Sequence, residues 1–182
     1  MVSRLNFLER LSQYALSSSQ GTFVCAIRLE AEVRPGIVRL EHAVFTRADN
    51  FVAWNIFADW KKWHRISDRY QSIEWRGVPW SAGSRLQVDI VRPFRARVDR
   101  VIMGCIPAQF VTWINHVLGY TMEQWVQFDS VAAGGTRVFT WIEFTGPSSS
   151  IHGRAVREII EDYLQDWYGS FREQCDRAAV AR

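Results

Sequence analysis

Apolar and polar residues alternate along most of the chain from residue 22 to residue 145. A period of two residues is typical of strands with one buried face. It predicts a strand over 22–33 that Pro35-Gly36 joins, as a hairpin, to a strand over 37–46. Six more strands follow, over 70–76, 84–92, 95–103, 108–117, 121–129 and 136–145. Because the connections are short, we expect an antiparallel meander with one buried and one solvent-exposed face.

Helices are predicted where the apolar period changes to three or four residues. Asp49 is a suitable N-cap for a helix over 50–58, and a second short helix follows over 60–66. The longest amphipathic run is 153–179. A one-sided sheet and one long helix bury their apolar faces best when the sheet curls around the helix. We therefore expect an elongated apolar pocket between them, which is a common kind of small-molecule site.

The first 21 residues are predicted to be an accessory to a single domain over 22–182. Residues 4–16 predict a short amphipathic helix, and the serine-rich stretch 17–21 predicts a flexible joint. We expect this helix to dock on the domain or on a second copy, so a homodimer through the N-terminal segment is one alternative. No secretory leader is predicted, because a continuous apolar stretch is missing.

Composition narrows the function further. The net charge of +3 is small and spread out, so no nucleic-acid partner is predicted, and no apolar run is long enough for a transmembrane segment. The three cysteines and four histidines lack metal-ligand spacing, so we expect no metal, no cofactor and reduced thiols in the cytoplasm. Nine tryptophans are more than cohesion of a small core needs, which suggests that some line a cavity.

Several short stretches, in this order, resemble the SRPBCC superfamily, which includes START domains, Bet v 1 allergens and polyketide cyclase/dehydrase-like proteins. They are FTRADNFVAWNIFADWKKWH (45–64), Gly83, IPAQFVTW (106–113), GGTRV (134–138), WIEFTGP (141–147) and the terminal helix. The resemblance implies an α+β helix-grip fold, with about seven antiparallel strands curved around a long C-terminal helix. It also implies a hydrophobic ligand such as a lipid, steroid or polyketide. It carries no catalytic motif, so it predicts a fold and a ligand class rather than a reaction.

Aromatic side chains are the first candidate ligand contacts. Four of them have the inward parity of their strand or helix and either fill the core or line the pocket: Trp75, Trp113, Tyr163 and Trp167. Trp63, on the second short helix, either covers the pocket mouth or only fastens the short helices to the sheet.

Polar residues with inward parity are the second group. Asn115 and Gln124 would need partners, either on a ligand or on a neighbouring strand. Arg100 would need one more urgently, because an isolated buried charge costs several kcal/mol. Glu143 and Glu74 are the candidate partners. The other arginines near residues 93 and 94 are predicted to be solvent-exposed rather than an anion site.

Three functions are consistent with these patterns. The first is a binding protein for a hydrophobic or aromatic small molecule. The second is a cyclase or dehydratase in the same pocket, with Glu143 as its carboxylate and His64 or His116 as its imidazole. The third is a protein-interaction domain that uses exposed aromatics. A buried carboxylate–histidine pair would favour the enzyme, and a filled core with an exposed tryptophan patch would favour the interaction domain.

Overall fold

The computed structural model describes residues 37–92, 95–117, 119–146 and 149–181. The predicted helix over 4–16, the joint at 17–21 and the strand over 22–33 lie outside these residues.

Seven strands and three helices make up the described chain. In order they are β1 (Ile37–Thr46), α1 (Asn50–Ala58), a 3-10 turn (Trp60–Lys62) that leads into α2 (Trp63–Ile66), β2 (Tyr70–Arg76), β3 (Arg85–Ile90), β4 (Ala96–Ile106), β5 (Phe110–Val117), β6 (Tyr120–Ser130), β7 (Thr136–Thr145) and α3 (Ser149–Val180). The strands form one antiparallel sheet in the order β1-β7-β6-β5-β4-β3-β2. The predicted fold class is confirmed.

Local chemistry explains where these elements begin and which side they bury. The Asp49 carboxylate accepts a hydrogen bond from the Val52 N–H at 2.8 Å and so caps α1. In β7, buried and part-buried residues alternate without a break from Thr136 to Thr145. This alternation directs one side of the strand at α3 and the other away from it.

Both edges of the sheet are tied to α3. On the β1 side, the Thr46 hydroxyl donates to Asp176 at 2.7 Å. Just before β2, Arg69 donates to Asp162 at 2.7 Å and to Asp166 at 3.0 Å. The helix therefore lies in the concave side of a sheet whose two edge strands it connects. None of the helices in the described ranges is long and apolar enough to cross a membrane.

The convex side of the sheet is not uniformly polar, which corrects the expectation of one solvent-exposed face. Over β3 and the start of β4 it carries ion pairs, Arg85–Asp99 and Arg97–Asp89. Over β5, β6 and β7 it carries stacked rings instead: Phe110 lies 4.4 Å from Trp125, measured between ring centroids. The outward side is therefore polar over β2, β3 and the start of β4, and aromatic over β5, β6 and β7.

Candidate functional site

Aromatic side chains pack the interior between the sheet and α3. Phe57 of α1 lies at their centre, with ring-centroid distances of 5.4 to 6.4 Å to its neighbours Trp63, Trp113, Phe128, Trp167 and Phe171. The Trp63 indole N–H donates to the Phe57 carbonyl at 2.7 Å, so it fastens α2 to α1. These packed rings form the apolar wall of the candidate site.

Arg100 is the charged group of this interior. It lies on the inward side of β4 and is 3% exposed. Its guanidinium lies 5.3 Å from the ring centre of Trp113 and 5.8 Å from that of Trp63. The hydroxyls of Tyr163 and Tyr70, which are 2.8 Å apart, are the polar groups that act on its pKa.

The surroundings of Arg100 carry no compensating negative charge among the described residues. Burial lowers the pKa of Arg100, but the oxygens of Tyr163 and Tyr70 outweigh this and raise it, so the side chain stays a cation. Burial raises the pKa of Tyr70 well above its usual value, so that phenol stays neutral. The Nε atom of Arg100 has no hydrogen-bond partner among the described residues. Within the described ranges, Arg100 is therefore a buried cation that faces tyrosine hydroxyls and no carboxylate.

Neither carboxylate predicted as its partner lies inside. Glu143 follows the inward Ile142 in β7, so it points outward, where it accepts from Arg39 at 2.9 Å. Glu74 is opposite Gln87, on the outward side of β2 and β3. Period-two alternation explains both corrections, because a strand directs every second residue away from the core.

The predicted imidazoles are also outside. His64 is exposed on α2, and His116 is exposed on β5 with its Nδ1 3.0 Å from the Thr121 hydroxyl. The carboxylate–histidine pair that would favour an enzyme is therefore not formed by Glu143 with either histidine.

Asn115 and Gln124 do lie in the interior, at 1% and 2% exposure. Gln124 donates from Nε2 to the Thr140 hydroxyl at 3.1 Å, but its Oε1 has no partner among the described residues. The same holds for both amide atoms of Asn115. Three indole N–H groups share this condition, those of Trp75, Trp113 and Trp167. Because buried polar groups are nearly always hydrogen-bonded, these atoms need partners beyond the described residues, such as water or a ligand.

His42 is an interior residue that the sequence reasoning missed. It lies on the inward side of β1, directly opposite Thr140, and its ring is 5.7 Å from that of Tyr168. Burial lowers the pKa of His42, so its imidazole is neutral near pH 7. The sequence does indicate an inward side chain at this position, since His42 has the same parity as the apolar Leu40 and Val44.

The two cysteines of the described chain lack the reactivity of a nucleophile. Burial raises the pKa of Cys105 to about 11 and that of Cys175 to about 12, so both thiols are protonated and weakly nucleophilic at neutral pH. No metal-ligand group of three His, Cys, Asp or Glu side chains occurs within the described ranges.

The predicted pocket between the sheet and α3 is not shown by the described residues, whose rings pack together there. A cavity of about 500 Å³ lies elsewhere, at the ends of β2, β3 and β4, where it is lined by Gln71, Ser72, Asp89, Ile90, Arg95, Ala96 and Arg97. Asp89 is held by Arg97 at 2.7 Å and by Ser72 at 2.6 Å, so this surface is a paired polar region.

No family model and no curated protein matches this sequence. Solved structures do match its fold. Ara h 8.0201 is 13% identical with a TM-score of 0.63, over 81% of this chain and 100% of that one. The Zhui aromatase/cyclase from Streptomyces sp. R1128 is 13% identical with a TM-score of 0.65, over 78% and 94%. A START superfamily protein from Mycobacterium smegmatis is 9% identical with a TM-score of 0.63, over 77% and 98%.

These identities are low, so the similarity shows the fold alone. The chain has the helix-grip fold of the SRPBCC and Bet v 1-like proteins, as the resemblance of its short motifs predicted. Structures with this fold include both a START superfamily protein and an aromatase/cyclase, so the fold does not decide between binding and catalysis.

Proposed function

We propose that this chain binds a small molecule between the inner face of the sheet and α3. The observation that carries the proposal is Arg100, a cation at 3% exposure that has only tyrosine hydroxyls and indole rings beside it. A buried charge without a counter-charge costs several kcal/mol. A ligand that supplies the opposite charge removes this cost, which makes the site a better binder than a neutral interior would be.

The side chains around Arg100 define the ligand's chemistry. A carboxylate, phenolate or enolate oxygen fits the guanidinium, because charge-assisted hydrogen bonds are the strongest available to it. An apolar or aromatic body fits the rings of Trp63, Trp113 and Trp167. The unpartnered amide atoms of Asn115 fit carbonyl or hydroxyl groups along that body. The ligand class is therefore an aromatic or polyketide-like acid.

Binding requires the interior to open, because aromatic rings pack against one another there. Trp63 lies in α2, a helix of one turn that leads directly from a 3-10 turn. Few backbone hydrogen bonds hold a single turn, but moving α2 also breaks the packing of Trp63, which is 1% exposed. We expect α2 and Trp63 to move aside and the ligand to replace ring-to-ring contacts.

A second candidate, a cyclase or dehydratase, is favoured by His42. Its neutral imidazole can accept a proton, and Arg100 in the same interior can stabilise an enolate oxygen that forms as the proton leaves. His42 thus replaces His64, His116 and Glu143 as the candidate acid–base residue. The likeness to an aromatase/cyclase supports this candidate only through its fold.

The test is native mass spectrometry of the purified full chain, followed by extraction of any bound compound. We expect an aromatic or polyketide-like acid on the parent and on Arg39→Met, and its loss from Arg100→Met. Arg39 is the matched control, because it also stacks on a tryptophan but already has carboxylate partners of its own. Retention of the same compound by Arg100→Met would contradict the proposal. So would a parent that carries no compound and retains none from a set of aromatic acids.

A further inference from the structure

The convex side of the sheet carries an apolar surface that the interior site does not use. We call it the outer aromatic patch: Met103, Phe110, Ile114, Trp125, Phe139 and Trp141. Trp125 of β6 lies directly opposite Trp141 of β7, with parallel rings 6.5 Å apart. Phe110 of β5 stacks on the other side of Trp125 at 4.4 Å. The patch therefore runs across neighbouring strands as one continuous row of rings.

The patch ends where charged residues begin. Arg39 of β1 lies 4.8 Å from the ring centre of Trp141 and closes one side. On the other side, Met103 of β4 is 55% exposed, and the neighbouring β3 carries ion-paired residues on this face. Of the six patch residues, Met103 is exposed, Trp125 is 6% exposed and the other four are half-buried. A row of apolar side chains with a polar rim marks an interaction surface on a folded domain. The width of the patch, from β4 to β7, points to an elongated apolar partner that lies across the strands.

We propose that residues 4–16 of the same chain pack on this patch as an amphipathic helix. The apolar positions of that segment, including Leu8, Leu11 and Ala15, recur at the spacing of one helical face. As a helix the segment is about 20 Å long. The patch, with its rim at β1, spans four strand spacings from β4 to β1, or about 19 Å. The two lengths match.

The point at which the chain enters the fold also favours this segment. Ile37 begins β1, which is the last of the described strands on the β7 side and pairs with the strand that carries Trp141. A tethered segment also has an effective concentration near ~1 mM, which favours it over a separate copy of the chain.

Photo-cross-linking of the full chain tests this placement. The cross-linking residue p-benzoylphenylalanine is placed at position 11 and, as a control, at position 13 on the polar side of the predicted helix. From position 11 we expect adducts within one chain, on peptides that contain Met103, Phe110 or Ile114. From position 13 we expect few. Adducts on other surfaces, or none on the patch, would overturn the proposal. A mixture with isotope-labelled protein identifies adducts between chains, which would assign the patch to a second copy and also overturn it.

A proteolysis experiment adds a variant that keeps the fold. Met103→Glu places a charge on the patch without touching the interior, whereas Gln87→Glu places the same charge on the outward side of β3. We expect trypsin to cleave after Arg10 roughly tenfold faster in Met103→Glu, because cleavage follows the released population, and at the parent rate in Gln87→Glu. Equal rates in both variants, with unchanged melting temperatures, would overturn the proposal.

Discussion

Two arginines of this protein lie over tryptophan rings, one on each side of the sheet. Arg39 lies 4.8 Å from Trp141 on the convex side, and Arg100 lies 5.3 Å from Trp113 on the concave side. Arg39 also has two carboxylates, Glu41 at 2.8 Å and Glu143 at 2.9 Å. Arg100 faces tyrosine hydroxyls instead, and no carboxylate of the described chain pairs with it. Both arginines thus stack on a tryptophan, but only Arg39 also has a counter-charge.

The difference teaches which arginine serves the fold. Stacking on an aromatic ring contributes up to about 2 kcal/mol when the cation is desolvated. That is less than the several kcal/mol lost when a guanidinium leaves water. At Arg39 the two carboxylates and the partial exposure offset the remaining desolvation cost. At Arg100 this desolvation cost is offset only when an anionic ligand binds beside the guanidinium, which is the basis of the proposed binding site.

The largest effect is expected from the two tryptophans. Trp113→Ala should lower the free energy of unfolding by about 3–5 kcal/mol, because it leaves a cavity among packed rings. Trp141→Ala should cost less, about 1 kcal/mol, because its ring lies on the partly exposed convex side. Urea unfolding of both variants measures the difference. Equal losses would show that the two tryptophans are equivalent structural residues.

Replacing each arginine with methionine should change the free energy of unfolding in opposite directions. Without ligand, Arg100→Met should raise the free energy of unfolding by about 1–3 kcal/mol, because an apolar side chain of similar length replaces a buried uncompensated cation. Arg39→Met should lower it by about 1 kcal/mol, because Glu41 and Glu143 lose the charge between them. A loss of stability in Arg100→Met as large as that for a broken buried ion pair would mean that Arg100 is already compensated.

The smallest expected effect is a dependence of stability on pH that comes from His42. Burial lowers its pKa in the folded state, so the unfolded chain binds the proton more readily. Stability from this group is therefore fully present above the unfolded pKa of about 6.5 and declines as the pH falls below it. Parent and His42→Asn should diverge least at pH 5.5 and most at pH 7.5 if the neutral ring contributes to packing. His64→Asn, at an exposed position, is the control. Identical pH profiles of all three melting temperatures would contradict the burial of His42.

Much of the fold could be predicted from the sequence, because alternation and helical periodicity are local signals. Residues 37–46 and 50–58 were assigned to their final residue. The partners of Arg100 could not be predicted, because Tyr70 and Tyr163 come from β2 and α3 and meet only when the sheet closes around the helix. Glu143 could have been placed outside by its parity. The outer aromatic patch was missed because aromatic residues are normally expected inside.

The most direct test of the account compares two fluorescent probes that share one aromatic body. The probe 8-anilino-1-naphthalenesulfonate carries an anionic group that N-phenyl-1-naphthylamine lacks. The parent and Arg39→Met should bind the sulfonate at least about tenfold more tightly than the neutral probe, because a charge-assisted hydrogen bond contributes about 1.5–3 kcal/mol. Arg100→Met should bind both probes equally. A sulfonate preference that survives in Arg100→Met, or disappears in Arg39→Met, would contradict the claim that Arg100 is the anion-binding group.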